Sequence, residues 1–144
     1  MSTSLEPSKR NGSVDFRRHF RAFAVVDLDD HQHATAFATW RTLVEAKEPL
    51  ITTNYVVVEL FSLAQSRLGF SALRELETDV FPLLDIVLVD PLIHRAAVGA
   101  VFIAGRRNLS LVDCASFEVM RRRGLRTAFT LDKHFAEQGF DAVP

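Results

Sequence analysis

The chain is poor in cysteine, in long apolar segments and in net charge. Its 144 residues contain one cysteine, Cys114, so an intrachain disulfide and a cysteine-based zinc cluster are both excluded. The longest apolar run, residues 96–105, is too short to span a bilayer, and the amino terminus lacks the charged-then-apolar pattern of a signal peptide. These absences predict a cytoplasmic protein that has no contact with a membrane.

The nearly balanced charge limits the expected partners. With 17 basic and 18 acidic residues the formal net charge is −1, so any binding of nucleic acid needs a local basic patch. The arginines at 121–123, with Arg106, Arg107 and Arg126, offer one, although a solvated helix end is the simpler interpretation. Tyrosine and tryptophan occur once each against 12 phenylalanines. We therefore expect phenylalanine to fill the core, and any surplus exposed phenylalanine to mark a protein interface.

Short apolar strands alternate with helical stretches over most of the chain. Residues 1–15 are polar and aperiodic, which predicts a disordered tail, whereas residues 16–144 show no repeat or linker and predict a single domain. Because the strands are short and apolar, the alternation predicts a parallel sheet with helices on both faces. The strands are expected near 22–26, 49–54, 85–90 and 127–132, and the helices near 31–46, 54–68, 71–80, 91–105, 110–124 and 133–139.

Acids that follow strands or open helices are the candidates for chemistry, because ligands bind at the carboxyl ends of parallel strands. Asp113 stands three residues after Ser110 and could complete a capping box, and Asp132 follows the last predicted strand and could cap the final helix. Glu59 lies on a polar helix face with no basic residue three or four positions away, and solvent exposure explains it equally well. Each acid alone therefore has an ordinary structural explanation.

Taken together, these three acids predict a metal site. Carboxylates from an early helix, a later helix start and the end of the last strand can meet at one edge of the sheet, where they repel one another unless a cation joins them. Mg²⁺ and Mn²⁺ prefer such oxygen ligands, and a bound divalent cation activates water and stabilises charge on a phosphate under attack. If the acids serve only as caps in a structural domain, their carboxylates should lie far apart.

Three segments of the chain resemble those of a known family. In the order LITTNYVVVELFSL, LSLVDCASFEVMRRRG and TAFTLDKHFAEQGF, they look like the acid-bearing segments of PIN-domain proteins, specifically the VapC-type toxin ribonucleases. The resemblance extends from about Asp27 to the carboxyl terminus. By this resemblance Glu59, Asp113 and Asp132 match three of the family's four acids, and Thr130 matches a polar position near the last one.

The resemblance implies a three-layer α/β/α sandwich around a central parallel sheet. It also implies an endoribonuclease that depends on Mg²⁺ or Mn²⁺ and hydrolyses RNA phosphodiesters, with Glu59, Asp113 and Asp132 as its catalytic residues and metal ligands. The implied partners are an RNA substrate, a cognate antitoxin that blocks the site, and a second copy of the chain in a homodimer.

The family's first acid has no counterpart at the expected position. It belongs at the end of the first strand, in a phrase like VDTSAL, but the corresponding residue is Arg18, which cannot bind a cation. Asp15 is the nearest acid and stands three residues too early, and it remains a candidate metal ligand. One possible set of codons for residues 17–23, translated from one base later, encodes Val-Asp-Thr-Ser-Ala-Leu-Leu. A frame error, or a natural frameshift that was later compensated, would explain the mismatch, and the gene sequence tests this hypothesis.

Loss of the first acid also raises an alternative function. If Asp15 does not replace that acid, we expect weak metal binding and impaired cleavage. The chain would then be a non-catalytic PIN-like scaffold that binds an antitoxin or RNA. An RNA cleavage assay with Mn²⁺, run beside Asp113→Asn, separates the two functions.

Other reactive side chains have simpler interpretations. Cys114 could be a nucleophile beside Asp113, but a small buried packing residue is the better interpretation. His31 and His33 are two residues apart and do not share a helix face, so we expect solvated positions rather than a metal pair. His134 could lie near the site, but a surface residue of the last helix is the better interpretation.

Overall fold

Five short strands form one parallel sheet in the computed structural model, which describes residues 22–24, 49–130 and 132–143. The strands are β1 (Ala22–Ala24), β2 (Leu50–Thr53), β3 (Leu84–Val87), β4 (Thr127–Phe129) and β5 (Asp141–Val143). Their order across the sheet is β3-β2-β1-β4-β5, and each neighbouring pair is parallel. The predicted parallel sheet is therefore present.

The direction in which strands are added to the sheet reverses at β1. From β1 the chain steps outward through β2 to β3 and then returns to place β4 on the other side of β1. Ala24 pairs with Phe129, so β1 and β4 end at the same level. In open α/β sheets ligands bind at such a reversal, outside the carboxyl ends of the strands. Thr130 and Asp132 follow β4 at this place.

Helices connect the strands, and most of them begin at a polar cap. They are α1 (Asn54–Arg67), α2 (Phe70–Glu75), α3 (Pro91–Ala104), α4 (Leu111–Arg122) and α5 (Lys133–Glu137). The side chains of Thr53, Asp90, Ser110 and Asp132 accept backbone N–H groups at the starts of α1, α3, α4 and α5. Such caps satisfy N–H groups that have no partner within the helix.

The larger hydrophobic cluster packs α3, α4 and α5 against the sheet. Helix α4 is the centre of this cluster, because Ala115, Phe117, Val119 and Met120 are all almost fully buried. A fully buried aliphatic or aromatic side chain contributes about 1.5–3 kcal/mol relative to an exposed one. A smaller cluster joins Leu60 of α1 to the segment that follows α2. The position of α4, and of the acid in its first turn, is therefore fixed by the core.

The observed elements agree with the predicted order, and the structure corrects three details. Thr53, rather than Asn54, is the N-cap of α1, and the Asn54 amide oxygen instead accepts the N–H of Val89 at 2.8 Å. The helix predicted at 71–80 is α2 followed by a π-helical turn and a 3₁₀ turn, which extend it to Leu83. Strand β5 was not predicted.

Several sequence predictions fall on residues that the structure does not describe. These are the tail at residues 1–15, the candidate ligand Asp15, the solvated positions of His31 and His33, and the helix near 31–46. Across the described ranges, no helix has both the length and the apolar character that crossing a membrane requires.

Candidate metal centre

Asp113 lies in the first turn of α4 and forms a reciprocal cap with Ser110. The Asp113 N–H donates to Ser110 Oγ at 3.1 Å, and the Ser110 N–H donates to Asp113 Oδ2 at 3.2 Å. The predicted capping box is therefore present. Burial raises the pKa of the Asp113 carboxyl group, and the nearby Asp132 carboxylate raises it further, against the lowering effect of the Ser110 hydrogen bonds. Capping explains the position of Asp113. The hydrogen bonds to Ser110 lower its pKa by less than burial and the Asp132 carboxylate together raise it.

Asp132 is held by the chain on both sides of it. Its N–H donates to Thr130 Oγ1 at 2.9 Å, and its Oδ1 accepts the N–H of His134 at 2.9 Å as the N-cap of α5. Thr130 is itself buried, and its N–H donates to the carbonyl of Val143 in β5 at 3.0 Å. The polar position that the sequence indicated at Thr130 thus orients the backbone that carries Asp132.

The side chains of Asp113, Asp132 and His134 converge. Their potential ligand atoms all lie within 4.8 Å of one another. His134 Nδ1 lies 2.8 Å from Asp132 Oδ1, but the two groups are not aligned for a hydrogen bond, and both ring nitrogens are buried without a hydrogen-bond partner. We take this pair as a close contact rather than as a hydrogen bond, because the distance alone does not satisfy the angular requirement.

Aromatic packing holds the two acid-bearing segments together. Phe117 lies one turn after Asp113 on α4, and Phe135 follows His134 on α5. Their rings meet edge to face with centroids 4.8 Å apart. Phe135 is fully buried. This contact docks α5 on α4 and so sets the separation of Asp113 and Asp132.

Glu59 is not part of the observed cluster. Glu59 is an exposed residue of α1, and among the described residues the group that could hold a cation comprises Asp113, Asp132 and His134 without it. Asp15 and Arg18 lie outside the described residues. Of the acids that the sequence singled out, the structure thus brings two together.

His134 is the residue whose burial the sequence interpretation did not predict. A surface position was the preferred interpretation, but only 6% of the residue is exposed. The preferred interpretation was wrong, and the neighbouring Phe135 belongs to the hydrophobic core. One signal was available, since His134 follows the capping Asp132 by only two residues and precedes an aromatic residue.

Two other candidates are accounted for by the fold. Cys114 is buried, and burial together with the neighbouring Asp113 raises the pKa of its thiol, so it packs as a neutral side chain rather than as a thiolate nucleophile. In the basic segment, Arg121 donates to Gln138 at 2.6 Å and Arg122 to Glu118 at 2.7 Å. These contacts favour the simpler interpretation of a helix end tied to the fold.

The cluster has the composition of a site for a hard divalent cation. It offers carboxylate oxygens from Asp113 and Asp132 and a buried imidazole without a hydrogen-bond partner. Burial, and to a smaller extent the neighbouring Asp132 carboxylate, raise the pKa of Asp113, and a bound cation would offset both effects. The residues present therefore fit a bound Mg²⁺ or Mn²⁺ ion.

The fold and the position of the site, at the reversal of strand order, define a class of protein. Comparison with known proteins identifies this class. Residues 11–141 match the PIN domain family, and the chain belongs to that family. The 23S rRNA-specific endonuclease VapC20 of Mycobacterium tuberculosis is 29% identical over 124 residues in each of two strains, CDC 1551 and H37Rv. The alignment covers 83% of this chain and 90% of that protein. The resemblance to VapC-type toxins that the sequence indicated is thereby confirmed.

Solved structures support the same fold. The crystal structure of M. tuberculosis VapC20, described as a sarcin-ricin loop cleaving toxin, aligns with a TM-score of 0.67 and 26% identity over 83% of this chain and 95% of that chain. FitAcB from Neisseria gonorrhoeae aligns with a TM-score of 0.59 over 85% of this chain and 96% of that chain. At 16% identity, the second match bears on the fold alone.

Proposed function

We propose that the chain is a toxin of the toxin–antitoxin type that acts as a divalent-metal-dependent endoribonuclease and hydrolyses RNA phosphodiesters. The observation that carries this proposal is the convergence of Asp113, Asp132 and His134 within 4.8 Å after strand β4. Membership of the PIN domain family and the similarity to VapC20, a 23S rRNA-specific endonuclease, support it. The fold is accordingly proposed to be the three-layer α/β/α sandwich of the family, within one domain at residues 16–144 and after a tail at residues 1–15.

In this proposal Asp113, Asp132 and Glu59 are the catalytic carboxylates and would hold the metal ion. A bound Mg²⁺ or Mn²⁺ ion lowers the pKa of a water molecule and neutralises charge on the scissile phosphate. Ser110 and Thr130 orient the two aspartates through hydrogen bonds of 3.2 Å and 2.9 Å. The protein's own contribution is to hold the carboxylates in fixed positions, so that the phosphate meets a pre-formed site.

The fourth acid of the family is proposed to come from the segment that follows β1 or from Asp15. Strand β1 ends at Ala24, and Asp27 is the next acid along the chain. Because the family's first acid belongs at the end of the first strand, the position of β1 makes Asp27 a second candidate beside Asp15. Reading the gene tests the frameshift explanation, which fails if the codons for residues 17–23 do not encode VDTSALL one base later.

The alternative function, a PIN-like scaffold without catalytic activity, is favoured by one observation. In the register that the resemblance implies, the residue at the position of the family's first acid is Arg18, which cannot bind a cation. A scaffold would still bind an antitoxin or RNA. It would not cleave RNA at any Mn²⁺ concentration.

The proposed protein partners are a cognate antitoxin and a second copy of the chain. Phe102 and Ile103 at the end of α3 are 81% and 89% exposed, which is unusual for large apolar side chains. The double variant Phe102→Glu/Ile103→Glu should elute as a smaller species than the parent in size-exclusion chromatography if these residues lie in the homodimer interface. Unchanged elution would exclude these two residues from the homodimer interface.

The proposed location of the protein is the cytoplasm, where its RNA substrate is found.

An RNA cleavage assay tests the proposed function. The purified chain is incubated with 23S rRNA and with a stem-loop oligonucleotide, in Mn²⁺, in Mg²⁺ and in a chelator. We expect metal-dependent endonucleolytic products that are absent with Asp113→Asn. Cleavage that persists with the variant would indicate a contaminating nuclease, and absence of cleavage by the parent at any metal concentration would favour the scaffold.

A further inference from the structure

His134 is the most deeply buried titratable side chain of the candidate centre. Only 6% of the residue is exposed, and neither ring nitrogen has a hydrogen-bond partner. Leaving a buried polar group without a partner costs on the order of 1–3 kcal/mol, and such groups are uncommon in folded proteins. The unsatisfied imidazole therefore points to a ligand that the ring contacts.

The geometry of the ring indicates what kind of ligand this is. Nδ1 lies 2.8 Å from Asp132 Oδ1 without the alignment of a hydrogen bond. Neighbouring donor atoms around an octahedral ion, with bonds of about 2.1 Å at right angles, lie roughly 3 Å apart. The backbone N–H of His134 donates to the same Asp132 Oδ1 at 2.9 Å and holds it in place. The ring nitrogen Nδ1 of His134 and Oδ1 of Asp132 therefore lie side by side.

The charges around the ring support the same conclusion. The ligand atoms of both Asp113 and Asp132 lie within 4.8 Å of a ring nitrogen of His134, and Asp113 and Asp132 each bring a carboxylate group to the cluster. Two carboxylates and one imidazole can all be satisfied by one divalent cation. A hydrogen bond from the ring to Asp132 would satisfy only one of the three groups.

We propose that His134 is a direct ligand of the divalent cation and supplies one ring nitrogen beside oxygens of Asp113 and Asp132. This inference rests on the proposed function, since it presupposes a cation at this place. A mixed set of oxygen and imidazole donors favours Mn²⁺ over Mg²⁺, because Mg²⁺ prefers oxygen ligands. We therefore expect the site to prefer Mn²⁺ to Mg²⁺ more strongly than carboxylates alone would.

Electron spin echo envelope modulation of bound Mn²⁺ tests the assignment. A directly coordinated imidazole nitrogen gives ¹⁴N modulation, whereas a histidine that only hydrogen-bonds to Asp132 does not. We expect this modulation in the full-length chain and its loss in His134→Gln. Calorimetric titration should show that His134→Gln loses about tenfold or more of its Mn²⁺ affinity and less of its Mg²⁺ affinity.

His94→Gln is the matched control. His94 lies in the first turn of α3, where its Nδ1 pairs with the hydroxyl group of Tyr55, outside the cluster. This variant should keep both the modulation and the metal affinities of the parent. His134→Asn serves as a second substitution if His134→Gln does not fold, as judged by circular dichroism.

The results separate this inference from the proposed function. If Mn²⁺ binds to the parent without ¹⁴N modulation, His134 is not a ligand and the inference is overturned, although a metal-dependent nuclease is still possible. If Mn²⁺ does not bind at all, both the inference and the metal dependence fail. Modulation that survives in His134→Gln would also overturn the assignment.

Discussion

Asp113 and Ser110 cap each other at the start of α4, and this reciprocal bond uses only one carboxylate oxygen. The Ser110 N–H is bound by Oδ2 of Asp113 at 3.2 Å. The capping role and a metal-binding role are therefore compatible, because Oδ1 stays available. The ordinary explanation of Asp113 as a helix cap is correct, yet it is incomplete, since a cap at the surface would not carry a pKa raised by burial.

The first prediction separates the two roles of Asp113. Asp113→Asn keeps an oxygen that can accept the Ser110 N–H, but it removes the charge that a cation requires. We expect the melting temperature without metal to be unchanged or higher, and the stabilisation by Mn²⁺ to disappear. At a hundredfold excess over the dissociation constant this stabilisation is about 2.7 kcal/mol for the parent. Cleavage should fall by about a hundredfold or more. A variant that Mn²⁺ still stabilises would contradict the prediction.

A second prediction concerns pH in the absence of metal. The pKa of Asp113 in the folded chain is raised above its usual value, so the ionised carboxylate lowers the free energy of unfolding at neutral pH. As the pH falls through this raised pKa the group becomes protonated, and the cost is relieved completely below the pKa of the unfolded chain. The melting temperature of Asp113→Asn should therefore exceed that of the parent at neutral pH. This difference should shrink as the pH is lowered, and a difference independent of pH would exclude the mechanism.

The parts of the site that depend on local sequence could be predicted, and those that depend on tertiary packing could not. The capping box at Ser110 and the cap at Asp132 follow from residues only two or three positions apart. His134 is buried, and the neighbouring Phe135 meets Phe117, which is eighteen residues away along the chain. No local pattern reports such a contact.

Strand β5 was missed for a related reason. Its three residues, Asp141–Val143, are all exposed, so the alternation of buried and exposed side chains that marks a strand is absent. The strand exists because β4 offers it a free edge, where Thr127 pairs with Asp141. The position of Asp132 at the carboxyl end of β4, by contrast, was predictable from the rule that ligands bind at the carboxyl ends of parallel strands.

A third prediction compares two aspartates that are both N-caps. Asp132→Asn and Asp90→Asn each keep an amide oxygen that can accept the helix N–H, as Asp90 Oδ1 now accepts that of Ile93 at 2.8 Å. Both variants should retain a cap and lose at most about 1 kcal/mol of stability. Only Asp132→Asn should lose Mn²⁺ affinity, by about tenfold or more, because Asp90 lies outside the cluster. Equal loss in both variants, measured by calorimetric titration, would show that the effect is not specific to the site.

A fourth prediction concerns the aromatic contact that sets the spacing of the acids. Phe135→Ala removes the fully buried ring that packs on Phe117 and should lower the free energy of unfolding by about 3–5 kcal/mol. Phe135→Leu keeps most of the volume and should cost less, while it still loosens the position of Asp132. We expect Phe135→Leu to weaken Mn²⁺ binding clearly, although it lowers the melting temperature only modestly. Unchanged Mn²⁺ affinity in a destabilised Phe135→Leu chain would show that this ring does not position the site.

The last prediction decides which acid replaces the family's missing one. The site lies beside the carboxyl ends of β1 and β4, which pair at Ala24 and Phe129. In chain order Asp27 follows β1 by three residues, whereas Asp15 precedes the strand by seven. The chain leaves a parallel strand at the edge where ligands bind, so an acid after β1 is better placed than one before it. We therefore expect Asp27→Asn to reduce Mn²⁺ affinity by about tenfold, with Asp15→Asn as the matched control that leaves it unchanged. The reverse result would assign the ligand to Asp15. No effect from either variant would mean that neither acid replaces the family's first acid, which the resemblance places at Arg18.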